Sequence, residues 1–309
     1  MPPLSLDADL LTDRRRIKRR LSFWRALAVV AVLGAIALAT LPGRGWVAEV
    51  RGGEHVARLT IAGAIGEDRR LIEAIEGAGR NTNVRALILE INSPGGSMSG
   101  GEALHGAIAR FAETKPVIAT MGGLAASAGY MIAMPAHRVL AREATITGSI
   151  GVILQSFNVV ELLDRLGVRP EVIASGPLKD QPSPFRALTP EGRAALDRLV
   201  GELHGQFIRM VAAGRRMDED RVRALADGRV VTGREAVALG LVDAIGGERE
   251  ARAWLMAERE VPDSLPIRAI EIRSRTERWF QSTIGFVIKS LFSEWLGVDG
   301  PRAVWQPFP

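Results

Sequence analysis

Apolar and polar positions divide this chain into stretches with different periodicities. Residues 21–41, LSFWRALAVVAVLGAIALATL, form a nearly unbroken apolar run of 21 residues. As a helix it would be about 30 Å long, the hydrocarbon thickness of a bilayer. From residue 55 onward, short β-type runs alternate with helical spacing. Residues 55–62 alternate as a strand does, and 69–78 carry apolar residues at helical intervals. Residues 85–92 (RALILEIN) form a near-continuous β-type run, as expected for a buried strand. Further strands are expected over 116–121, 137–141, 146–154 and 171–174. Helices are expected over 98–111, from near Ala126, over 158–166, over 218–226, 233–240 and 247–257. A long helix should open at Thr189-Pro190, with threonine as the cap and proline in the first turn. Residues 176–188 read as a Pro-rich loop. Strand–helix units repeated on this scale predict an α/β fold with parallel pairing and right-handed crossovers.

Charge orients the apolar run. Six of the seven residues 14–20 are basic, whereas only Arg44 and Arg51 follow before the folded region. The positive-inside rule then places residues 1–20 in the cytoplasm as a basic tail, 21–42 across the membrane, and the remainder outside. Arg25 lies near one end of the span, where it can snorkel to the interface beside Trp24. The run is long for the apolar core of a cleaved signal peptide and lacks a convincing small-x-small cleavage site, which favours a retained anchor. A protein domain is expected over 55–258. Residues 259–309 form an extension whose apolar series includes Trp279, Phe280, Phe286, Phe292 and Trp295. It suits either an interfacial helix on a membrane or a helix packed on the protein itself.

Composition removes several classes of chemistry. Cysteine is absent, so there is no disulfide framework, thiolate metal site or cysteine nucleophile. Lys and Arg total 40 and Asp and Glu 35, but part of the excess is the membrane-flanking block, which gives no nucleic-acid footprint. No HExxH or comparable spacing occurs, and neither a metal nor a cofactor is expected. The four histidines, His55, His105, His137 and His204, lie outside any recognisable motif, which disfavours a Ser-His-Asp triad.

Two glycine-rich turns remain, each after a buried strand and before a helix. Ser93-Pro94-Gly95-Gly96 would let a carbonyl approach backbone N–H groups closely, as an oxyanion hole requires. Gly122 to Gly129, GGLAASAG, presents Ser127 among residues too small to bury its hydroxyl. A serine nucleophile needs a base, and the use of lysine suggests one. Of the 40 basic residues only Lys18, Lys115, Lys179 and Lys289 are lysine. Arginine stays protonated, whereas a desolvated lysine can release its proton. Lys179, in a loop behind a short predicted strand, is the best candidate for the base.

These elements occur in a specific order. Asn92-Ser93-Pro94-Gly95-Gly96, Ala125-Ala126-Ser127 with Gly129-Tyr130, and Thr147-Gly148-Ser149-Ile150-Gly151-Val152 come first. Ser175-Gly176 with Lys179-Asp180, Ser183-Pro184 and Arg186 follow, then Ala226-Asp227-Gly228-Arg229-Val230 and Leu239-Gly240-Leu241-Val242-Asp243. Together they resemble the short, single-repeat signal peptide peptidase A family of bacterial Ser-Lys proteases, over about residues 55–255. The resemblance implies a Clp protease/crotonase-like fold of repeated βαβ units behind one N-terminal transmembrane helix. It implies Ser127 as nucleophile, Lys179 as general base, Gly95 or Gly96 in the oxyanion hole, and Ser149 orienting the lysine. It also implies hydrophobic peptide substrates such as signal-peptide remnants. The same likeness implies a bacterial inner-membrane location with the catalytic domain in the periplasm, and a homo-oligomeric ring, an octamer by resemblance, whose neighbouring subunits complete the sites. One departure is Ala128 where many members carry glycine. A crotonase-type acyl-CoA enzyme and a non-catalytic membrane scaffold are the competing readings.

Overall fold

The computed structural model describes Trp24 and residues 53–270. The predicted anchor over 21–42, apart from Trp24, and the tail beyond residue 270 lie outside the described residues. Among the described residues no helix is long and apolar enough to cross a membrane.

An eight-stranded sheet organises the domain. Its strands are β1 (His55–Ala62), β2 (Val84–Ser93), β3 (Val117–Ala126), β4 (Arg138–Ala141), β5 (Ile146–Gly148), β6 (Val230–Thr232), β7 (Ala244–Ile245) and β8 (Ile267–Ala269). The main path runs β6-β5-β3-β2-β1-β8, with β4 beside β3 and β7 beside β4. Every pair is parallel except β5 with β6. The helices are α1 (Arg69–Arg80), α2 (Met98–Ala112), α3 (Ala128–Met131), α4 (Val160–Arg165), α5 (Pro190–Arg215), α6 (Glu219–Leu225), α7 (Gly233–Leu239) and α8 (Glu248–Arg259).

The continuous apolar run of β2 is explained by burial on both sheet faces. Leu87, Leu89 and Ile91 join the main core with Leu104, Ile108 and Phe111 of α2. Ala86 and Ile88 face the opposite layer with Ile118, Leu140 and Leu255. Side-chain caps fix where the helices begin. Asp68 accepts from the N–H groups of Arg70 and Leu71, Ser97 from Gly100, Thr189 from Gly192 and Asp218 from Asp220. Each occupies donors that the first helical turn leaves unpaired.

Strand β3 changes neighbour along its length. Ile118–Met121 pair with β4, and Leu124–Ala126 pair with β5. Against β2 the register jumps from Ile91↔Met121 to Ser93↔Ala125, so Asn92 alone faces Gly122, Gly123 and Leu124. The expected strand end at residue 121 is therefore a bulge, and the strand continues to Ala126. The expected strand over 146–154 stops at Gly148, where Gly148 (φ 81°) and Ser149 (φ 51°) turn the chain away. Residues 171–174 are not a strand: they are exposed and pair with nothing in the sheet.

A polar cluster locks the back of the domain. The Arg215 guanidinium, nearly buried, donates to both carboxylate oxygens of Asp243 at 2.6 and 3.0 Å. It also donates to the Gly240 carbonyl, while Asp243 accepts the Val139 N–H. Tyr130 is fully buried and donates to the Leu241 carbonyl at 2.7 Å. Burial pushes the Asp243 carboxyl upward, but the hydrogen bond and charge of Arg215 outweigh it, and the net shift is down. A depressed folded value stabilises the native state above the ordinary aspartate range, and that contribution is lost as pH falls through the folded value. Asp243→Asn should therefore cost about 1.5–3 kcal/mol at neutral pH and flatten the acid limb of the stability profile below about pH 4. Urea unfolding across pH 2.5–7 checks this; equal losses at pH 7 and pH 2.5 would contradict it.

Candidate active site

The two glycine-rich turns expected from the sequence pack directly on each other. Ser127 lies between β3 and the single-turn helix α3, with φ 53° and ψ −123°. This backbone region is costly for a residue with a Cβ. Hydrogen bonds on both sides hold it there. The Ser127 N–H donates to the Gly148 carbonyl at 2.9 Å, and its own carbonyl accepts from Tyr130 and Met131, both at 2.9 Å. The result is a sharp strand-to-helix elbow that keeps the serine partly exposed. Among the described residues its hydroxyl makes no hydrogen bond.

Gly95, with φ 106°, comes against this elbow. A Cβ at residue 95 would sit 2.7 Å from Ser127 Cβ, 2.9 Å from the Ala126 carbonyl and 3.0 Å from the Ala128 nitrogen. The Gly95 N–H is engaged, donating to Ser93 Oγ at 3.1 Å. Gly96 is paired through its neighbours: Ile65 donates to the Gly95 carbonyl and accepts from Ser97. Among the described residues neither the Gly96 N–H nor the Ala128 N–H makes a hydrogen bond. Gly129 completes the contact, since a Cβ there would lie 2.9 Å from the Ser93 carbonyl. The Ala128 methyl is fully buried and has room because residue 101 is glycine; a Cβ at 101 would be 3.0 Å from it.

Asn92, Thr145 and Ala128 shape the approach to Ser127, and of these only Thr145 lies outside the motifs read from the sequence. Asn92 Oδ1 accepts the Leu124 N–H at 3.2 Å, holding the bulge from one side. Thr145, itself buried, donates its hydroxyl to the Gly122 carbonyl at 2.7 Å and holds it from the other. Ala128 supplies the N–H that follows the serine. The one sequence signal for this arrangement is the glycine pair 122–123 inside an apolar strand, which reads as a closing turn but marks a bulge.

Ser149 directly follows Gly148, the residue whose carbonyl anchors Ser127, so the two serines lie at adjoining strand ends. Lys179 is different. It sits in an exposed turn, and its amine makes no hydrogen bond or ion pair among the described residues. The chain alone brings together Ser127, Gly95, Gly96 and the Ser149 turn, but it leaves Lys179 in solvent. His137 is excluded as a partner of the serine. Its Nδ1 accepts the N–H of Val117, the first residue of β3, and about 30 Å of strand separates that point from Ser127. Among the described residues no group of acidic or histidine side chains could hold a metal ion.

A serine held on a strained elbow beside unengaged backbone N–H groups is the arrangement of a hydrolytic nucleophile. Comparison with known proteins agrees. A model of peptidase family S49 matches residues 109–262. A protein of Synechocystis sp. that carries a protease name is 38% identical over 221 residues, covering 71% of this chain and 79% of that protein. The chain belongs to peptidase family S49. It is accordingly a serine peptidase of the signal peptide peptidase A type, and the mixed sheet with its flanking helices fits the Clp-protease-like fold of that family. Two further relatives agree in name. A signal peptide peptidase SppA by name from Enterococcus faecium is 35% identical over 216 residues, 70% of this chain and 61% of that one. The chloroplastic serine protease SPPA of Arabidopsis thaliana is 32% identical over 262 residues, 83% of this chain but 38% of its own length.

Proposed function

We propose that this S49 chain is a membrane-anchored endopeptidase whose Ser127 attacks the peptide carbonyl with Lys179 as general base. The observation that carries the reading is the elbow itself: Ser127 at φ 53°, abutted by Gly95, with the Gly96 and Ala128 N–H groups unengaged beside it. The neutral Lys179 amine takes the hydroxyl proton as Ser127 Oγ bonds to the carbonyl carbon. The oxyanion that forms is held by the N–H groups of Gly96 and Ala128. Collapse breaks the C–N bond, and the leaving amine takes the proton back from Lys179. Water, deprotonated by the same amine, then hydrolyses the acyl-serine and releases a carboxylate. Ser149 positions the lysine amine, as the resemblance implies. Gly95 shapes the hole rather than donating, since its N–H belongs to Ser93 Oγ.

An exposed lysine is a poor base, so in this reading the site is completed by a second copy in a ring. The exposed residues of the segment 153–178, which leads to Lys179, support that. Ile153 is 84% exposed, Phe157 73% and Ile173 entirely so, with Leu162, Leu166 and Leu178 also in solvent. An apolar surface of this extent calls for a partner. The basic block and apolar run at the N-terminus support anchoring with the domain outside the cytoplasm, and hydrophobic peptides such as signal-peptide remnants are the substrates proposed. A fluorophosphonate probe tests the chemistry in the full chain. We expect one adduct, mapped to Ser127 by mass spectrometry and absent from Ser127→Ala. A folded, assembled preparation that takes up no probe would instead favour the scaffold reading.

A further inference from the structure

The domain contains a concavity remote from Ser127. A cleft of about 800 Å³ lies between α2, the turn 134–137 and α5. That volume suits a small-molecule ligand. The turn sits at the opposite end of β3 from the elbow: His137 and Val117 exchange hydrogen bonds there, through the His137 N–H to the Val117 carbonyl and the Val117 N–H to His137 Nδ1.

The walls divide by chemistry. Met134, Ala136, Met210 and Ala213 supply an apolar part. Three guanidinium groups, Arg209, Arg215 and Arg216, face two carboxylates, Glu113 and Asp243. Asp243 is consumed by Arg215. Arg209 and Arg216 have no ion-pair or hydrogen-bond partner for their side chains among the described residues. Beyond the lining, Arg138 acts on Asp243 and Arg259 on His137, adding to the positive field. Partial desolvation lowers the pKa of both cleft histidines, His105 and His137, with Glu102 opposing the shift at His105 and Arg259 and Arg216 adding to it at His137. His137 accepts the Val117 N–H at Nδ1, which leaves Nε2 for a ligand, and Gln206 offers an amide in the same lining. Spare arginines against an apolar wall match a carboxylate with an apolar body.

We propose that this cleft binds an amphipathic monocarboxylate, its carboxylate on Arg209 and Arg216 and its apolar chain along Met134 and Met210. Two sources share that chemistry: a fatty acid, and the free C-terminus of a short hydrophobic peptide. The site does not depend on the peptidase reading, because none of its residues belongs to the Ser127 elbow.

The full-length Ser127→Ala chain provides the test. Octanoate and octanamide form one matched pair, and N-acetyl-Leu-Leu-Ala with its carboxamide forms the other. Affinity is read by calorimetry and location by backbone hydrogen exchange. At least one acid should protect residues 134–137 and 206–216, with its amide about ten- to a hundredfold weaker, the loss of a charge-assisted contact. Arg209→Gln with Arg216→Gln, both exposed side chains, should reduce acid binding to the level of the amide while the thermal midpoint stays put. Protection by octanoate alone assigns a lipid source, and by the peptide alone a peptide source. Equal binding of acid and amide, or no protection of those two segments at saturation, would overturn the proposal. The acid–amide comparison stands by itself if the double variant fails to fold.

Discussion

Lys179→Arg is expected to yield a folded chain that turns over peptide about 10²–10⁴-fold more slowly, the range that general-base catalysis supplies. The substitution keeps the positive charge and most of the stem while removing the one property the mechanism needs, a proton that can leave. Lys179 is exposed and holds no partner among the described residues, so stability should change by no more than about 0.5 kcal/mol. The separation of the two effects makes the variant informative. A loss of turnover with an unchanged melting curve and unchanged oligomeric state assigns the lysine to chemistry. Turnover within tenfold of the parent would remove Lys179 from the mechanism. Probe capture by Ser127 should fall in parallel, because attack on the phosphonate needs the same proton transfer. If capture persists at the parent rate while turnover is lost, the lysine serves only deacylation.

Much of this site could be read from sequence because its parts are local. The Gly95-Gly96 pair after β2 announced its turn and small residues around Ser127 an accessible hydroxyl, whereas Gly122-Gly123 read as a turn and lies in a bulge inside β3. Cap residues placed the starts of α5 and α6 within one position, since Thr189-Pro190 and Asp218 fix helix starts by hydrogen bonds that depend on a few neighbours. What could not be read depends on partners distant in the chain. Residues 171–174 have the composition of a strand, but a strand forms only where another strand accepts its backbone groups, and none does here. The apolar pattern of 146–154 likewise continues past Gly148, although two successive positive φ angles end the strand. Strands β6, β7 and β8 have only two or three residues each, too few to show an alternation. The bulge at Gly122–Leu124 arises because β3 passes from β4 to β5, and no window of local sequence encodes an exchange of neighbours. Lys179 is the extreme case. Its residue type suggested a base, while its surroundings within one chain are solvent.

The strongest test of the elbow is Gly95→Ala, which should lower kcat by about 10²–10³-fold, comparable to deleting an oxyanion-hole donor. The added methyl would meet Ser127 Cβ at 2.7 Å and backbone atoms of Ala126 and Ala128 at 2.9 and 3.0 Å. None of these is the end of a flexible side chain, so either the Gly95 turn or the serine elbow must move. Residue 95 also has φ 106°, where an L side chain is strained regardless of space. Movement of a few tenths of an ångström displaces the Gly96 and Ala128 N–H groups from the position that the oxyanion would occupy. Gly233→Ala is the matched control. Its Cβ would fall 1.9 Å from the Arg142 carbonyl, a worse clash at the start of α7. Gly233→Ala should lower the melting temperature more than Gly95→Ala, yet the fraction that stays folded should retain near-parent kcat. The reverse ordering, with Gly95→Ala active and Gly233→Ala inactive at equal folded fraction, would move the catalytic centre away from the Ser127 elbow.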